Sequence, residues 1–71
     1  MEPEYTNADW AWLDVYTRSK SGGVINWNFR KRVARKGDAS FDDMRVQIAR
    51  LLGQSPAVPM SFDDFKLVKR P

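Results

Sequence analysis

The segment Val24-Ile25-Asn26-Trp27-Asn28-Phe29-Arg30-Lys31-Arg32-Val33-Ala34-Arg35-Lys36 decides the fold, and it supports two readings. In its first half, Ile25, Trp27 and Phe29 alternate with Asn26, Asn28 and Arg30, the period of a strand with one face buried. Read as a helix, Asn26 is a good N-cap, Phe29 and Val33 lie one turn apart, and Gly37 is a natural stop. Arg35 and Lys36 then fall in the last turn, where cations complement the helix dipole. The helical reading places Arg30 in the middle of the apolar side, against its favour. A helix from about Trp27 to Lys36 is the expectation adopted.

On the N-terminal side, Thr6-Asn7-Ala8-Asp9 reads as a helix start, with Thr6 capping and Asp9 reaching back. This first helix would run to about Arg18 and end at Ser19-Lys20-Ser21-Gly22-Gly23. At about 100° per residue, Ala8, Ala11, Trp12, Val15 and Tyr16 share one face, with Trp10, Leu13 and Thr17 on the other. A helix apolar on two sides is either sandwiched in the fold or presents one tryptophan to a partner. Residues 1–6 read as a loose arm.

On the C-terminal side, Ser40 is a cap, Asp42 and Asp43 occupy a first turn, and Phe41, Met44, Ile48, Leu51 and Leu52 form an apolar stripe closed by Gly53. Gln54 to Met60, with Pro56 and Pro59, is an extended connector. Ser61-Phe62-Asp63-Asp64-Phe65 repeats the pattern of Ser40-Phe41-Asp42-Asp43-Met44. A short final helix, or a strand at residues 65–68, follows, with Arg70 and Pro71 fraying. The fold expected is therefore all-α, one small domain of three or four helices over residues 1–71. The alternative is an α+β fold with a short two-stranded sheet pairing residues 24–29 with residues 65–69.

Composition narrows the chemistry. The 71 residues contain no cysteine and no histidine, so disulfides, thiolate metal clusters and the commonest general base and metal ligand are missing. No catalytic, cofactor-binding or metal-binding residue is expected. Asp42/Asp43 and Asp63/Asp64 are the carboxylate pairs a metal-dependent nuclease would need. Adjacent helical residues diverge rather than converge, and capping accounts for them. Ser19-Lys20-Ser21-Gly22-Gly23 has the residue types of a phosphate loop or a serine–lysine dyad without the required spacing. No apolar run is long enough to span a bilayer, and residues 1–4 are acidic rather than signal-like, so a cytoplasmic protein is expected.

What remains is binding. The formal charge of +3 is unevenly laid out, acidic over residues 1–14 and strongly basic over residues 15–36. Nine aromatic residues, three of them tryptophan, exceed what one helix face can bury. The function expected is a non-enzymatic protein-interaction module, a small regulator or inhibitor docking on a larger protein or self-associating, with Trp10, Leu13 and Thr17 as the partner-binding surface. The alternative is a nucleic-acid-binding protein using Arg30, Lys31, Arg32, Arg35 and Lys36 beside Trp27 and Phe29. A solvated helix face accounts for the same cations. A helix-turn-helix over residues 27–52 is disfavoured because Asp38, Asp42 and Asp43 would meet the phosphates.

Overall fold

The computed structural model describes residues 9–55 and 57–71. Its elements are β1 (Trp12–Ser21), β2 (Val24–Ala34), α1 (Phe41–Leu52) and β3 (Phe65–Arg70). The strands form one antiparallel sheet in the order β2-β1-β3. With one helix among the described residues, the expected all-α domain is corrected, and so is the helical character drawn from it. The two-stranded alternative is corrected as well. Both of its segments are strands, but β1 lies between them and pairs with each.

The physical reason starts at Gly22-Gly23. Both residues have positive φ (58° and 81°), and Ser21 pairs directly with Val24 across them. Two left-handed residues between paired strands make the primed turn whose twist matches a hairpin. The glycines that would end a helix instead fold β1 onto β2. Once the chain reverses there, period 2 replaces period 3.6. Leu13 and Val15 fall on one face, and Trp12, Asp14 and Tyr16 on the other, which resolves why the segment looked apolar on two sides of a helix.

The two faces differ in cover. Leu13, Val15 and Phe65 are buried against Met44, Ile48 and Ala49 of α1, with Val33 and Leu67 packed on the same cluster. Burial of each large side chain contributes roughly 1.5–3 kcal/mol before ordering entropy. The helix forms where expected. Ser40 is its N-cap and accepts a hydrogen bond from the Asp43 amide at 3.1 Å, with Asp42 and Asp43 in the first turn. Of its expected apolar stripe Phe41, Met44, Ile48 and Leu52 meet the core, while Leu51 is 67% exposed and Ala49 is buried in addition. No helix among the described residues is long and apolar enough to cross a membrane.

The echo at Ser61 does not repeat the helix. Ser61 accepts from the Asp63 amide through its hydroxyl and from the Asp64 amide through its carbonyl, which makes a turn that delivers Phe65 into β3. Arg70, expected to fray, is instead the last residue of that strand, paired with Trp12. The expected arm, residues 1–6, and the Thr6 cap lie outside the described residues.

Gly53 follows α1 with φ −68°, so it is not needed for a left-handed turn. It is needed for space. A Cβ there would press into the Val58 carbonyl and come within 2.8 Å of Pro59 Cα. The connector is held this close by the Met60 amide, which donates to the Ala49 carbonyl at 2.9 Å. Gly53→Ala is therefore expected to cost about 1–3 kcal/mol through overpacking against backbone, read as a lowered denaturant midpoint. Unchanged stability would mean that the connector moves aside freely.

Candidate functional site

The face of the sheet away from α1 is built by the register. Trp12, Asp14, Tyr16, Arg18 and Lys20 of β1 share it, and the residues paired with them extend it onto both neighbours: Ile25, Trp27, Phe29, Arg32 and Ala34 from β2, and Lys66, Val68 and Arg70 from β3. One irregularity makes this possible. The ladder shifts between Val15 and Tyr16, where Val15 pairs with Lys31 and Tyr16 with Phe29, leaving Arg30 as an extra residue. A bulge of this kind reverses which face the odd-numbered residues occupy. Val33 and Lys31 therefore lie on the helix side, while Phe29, Trp27 and Ile25 lie on the open side.

The open face carries exposed rings. Trp12 is 42% exposed, Trp27 38% and Phe29 57%. Tyr16 and Phe29 meet edge to face with centroids 5.6 Å apart. The Lys66 ammonium lies 4.9 Å from the Trp27 ring and 5.5 Å from the Tyr16 ring, a cation bridging aromatics of two strands.

At one end of this face Asp14 is buried, yet it is charged. Arg32 donates to it through Nε at 2.6 Å and Nη2 at 3.2 Å, and Arg70 through Nε at 2.9 Å. These bonds, the Arg32 contribution foremost, hold the Asp14 carboxyl at about 2, below its usual 3.8, although burial alone would raise it. Both guanidiniums are pushed up in turn by the same hydrogen bonds. One carboxylate thus joins all three strands, and it offsets only part of the positive charge around it. Near the hairpin, Arg18 pairs with Asp64 at 2.8 Å, while Lys20 extends the cationic margin.

The residues expected to form sites are placed differently from expectation. Trp10 and Leu13 are 2% and 0% exposed and belong to the core, so the surface assigned to them with Thr17 does not form. Trp10 packs edge to face on Phe41 at 6.4 Å, with the Arg35 guanidinium 4.4 Å from its ring. Thr17 is half-buried beside Met60 and Asp64.

The basic segment does not form one side of a helix. Arg30 is at the bulge, Lys31 is on the helix side of the sheet, and Arg32 is on the open face. Arg35 donates to the carbonyls of Ala39 and Trp10, at 2.9 and 3.4 Å, and Lys36 lies beside Gln47 and Arg50 of α1. The aspartate pairs serve structure: Asp42 pairs with Arg45 and Asp64 with Arg18. No cluster of three or more potential metal-ligating residues occurs among the described residues.

Sequence reasoning set Trp12 and Tyr16 on one side of a helix and missed that Trp27 and Lys66 share their surface. The signal was the Trp12-Asp14-Tyr16 alternation followed by a Gly-Gly turn. No family model matches this chain, and neither curated proteins nor solved structures give a match.

Two expectations follow. Trp10→Ala should destabilise the fold by roughly 3–5 kcal/mol as a core truncation, in contrast to the small effect expected of a surface anchor. A denaturation midpoint near that of wild type would place the indole outside the core. For Asp14, the folded-state pKa is depressed, so its stabilisation is present above pH 3.8 and is lost as pH falls through about 2. Comparing acid unfolding of wild type and Asp14→Asn should show the variant less stable at neutral pH and flatter between those two values. Parallel acid profiles would remove the assignment.

Proposed function

We propose that the protein binds single-stranded nucleic acid on the open face of its sheet. The observation that carries this reading is the combination on one surface of exposed Trp12, Trp27 and Phe29 with Lys20, Arg32, Lys66 and Arg70, while on the opposite face α1 covers the part around Leu13, Val15 and Phe65. Large rings left on a sheet surface supply platforms on which unpaired bases stack, and the interleaved cations meet the phosphates. Successive same-face side chains along a strand stand roughly 7 Å apart, so neighbouring platforms can take neighbouring bases.

This changes which cations do the work. The segment Arg30–Lys36 is dispersed over both faces, and the binding charge comes from β1, β2 and β3 together. A broad sheet presenting ring faces suits unstacked bases better than the base-pair edges at the floor of a duplex groove. The protein-docking reading built on Trp10, Leu13 and Thr17 has lost its surface, because two of the three are core residues.

Fluorescence anisotropy with a labelled single-stranded oligonucleotide at low salt tests the proposal. Binding should weaken steeply with added salt. Trp12→Ala and Phe29→Ala should each lower affinity by about 5- to 150-fold, the loss of one stacked base at roughly 1–3 kcal/mol. A duplex of the same sequence should bind more weakly and respond little to either variant. Equal affinity of both variants and wild type for the single strand would overturn the reading.

A further inference from the structure

β2 is an edge strand whose first half is unguarded. Natural edges are blunted by charge, proline, shortness or a bulge, and β2 carries its cations and its bulge from Arg30 onward. Val24 to Phe29 has none of these, and all six residues are exposed. The outer backbone groups of this stretch can be assigned from the ladder. Within β1 the Arg18 amide donates to the Asp64 carbonyl at 2.9 Å, on the β3 side; just before β1, the Ala11 carbonyl accepts from the Arg35 amide at 2.8 Å while the Ala11 amide donates to the Arg70 carbonyl. Odd-numbered residues of β1 therefore bond toward β2 and even-numbered ones toward β3. The β2 partners of the odd residues are Val24, Asn26 and Asn28, which bond inward. Ile25, Trp27 and Phe29 are left pointing their amides and carbonyls outward. Among the described residues nothing pairs with this edge.

We infer that two copies of the chain join through this edge, antiparallel, about a two-fold axis at Trp27. With Trp27 opposite the partner's Trp27, Ile25 lies opposite the partner's Phe29, and Phe29 opposite the partner's Ile25. Each of these is a hydrogen-bonded pair, about six new bonds in all. The same register sets aromatic and β-branched side chains against each other on the open face, the pairings that stabilise sheets most.

Charge selects this register. Arg30 falls opposite the partner's Val24, and Lys31 and Arg32 fall beside the partner's Gly22-Gly23 turn, so no two cations oppose each other. Moving the axis to Phe29 sets Trp27 against Lys31 and runs the pairing through the bulge. Moving it to Ile25 loses the pairing of Phe29. β3, the other edge, is six residues long and carries Lys66 and Lys69 within any stretch long enough to pair. The occupant of the β2 edge is thus a second copy of this chain, and the result is a continuous six-stranded sheet with both open faces on one side. The inference goes beyond nucleic-acid binding and is tested without any ligand.

Sedimentation equilibrium of the protein alone should give twice the 8.2 kDa chain mass at high micromolar concentration, and Trp27→Lys, which sets two lysines against each other at the axis, should give the single-chain mass with an unchanged circular dichroism spectrum. A positive test uses the absence of native cysteine. Directly opposed hydrogen-bonded residues have Cα atoms about 5.5 Å apart, within disulfide range. Trp27→Cys should cross-link to a dimer on mild oxidation, whereas Ile25→Cys, whose symmetry mate lies four residues along the strand, should not. A wild-type protein that stays at single-chain mass throughout, or equal cross-linking of the two cysteine variants, overturns the inference.

Discussion

One extra residue in β2 sets the character of the whole sheet. At the bulge, Arg30 interrupts strict alternation, and the odd-numbered residues on either side of it face opposite ways. Without that interruption Ile25, Trp27 and Phe29 would share the face of Val33 and point toward the helix layer. On that face the core of Met44, Ile48 and Phe65 around Leu13 and Val15 reaches β2 only at Val33. The bulge keeps one end of β2 in the core through Val33 and turns the other end outward. It separates the core-forming part of the strand from the part available for binding.

The second constraint is the buried carboxylate of β1. An unpaired charge at the Asp14 position would be costly, and Arg32 and Arg70 satisfy it from both neighbouring strands. Their positions are fixed by the same register that aligns the aromatic rings. The polar cluster and the aromatic cluster are therefore successive rungs of one surface, the first fastening the strands and the second, through Tyr16, Phe29, Trp27 and Lys66, left open. A face organised this way has unused ring area and positive charge in excess, the two requirements for stacking bases while neutralising phosphates. The same surface runs to the free edge of β2, where further apolar area is exposed. The proposed stacking on the face and pairing along the edge would use different groups, ring faces in one case and backbone amides and carbonyls in the other.

The helix was legible because its signals are local. Ser40, Asp42, Asp43 and the Met44–Ile48 spacing act within one segment, and no distant partner is needed to interpret them. The two long strands were not, because short apolar runs fit both periods until something fixes the chain direction. Gly22-Gly23 reads locally as a terminator but is a two-residue turn, and that difference places residues 12–18 and 27–34 in strands rather than in the expected helices. The same local reading sets Trp10 and Leu13 apart from the core on a helix face, whereas the structure buries both. The basic segment was identified by composition, but which side each cation faces depends on the bulge, which has no glycine or proline to announce it.

The sequence by itself determined the chemical inventory: no cysteine or histidine, more ring area than a small core can enclose, a basic middle section, and one well-capped helix. These follow from residue identity and from interactions within a few positions. Tertiary structure decided which residues share a surface. Trp12 and Trp27 lie on one face because the antiparallel register of β1 and β2 shifts by one residue at Arg30, and Lys66 reaches both Tyr16 and Trp27 because β3 pairs on the far side of β1. Pairing across long sequence separations is fixed by burial of the whole apolar set against α1, a condition that no local window of the chain contains.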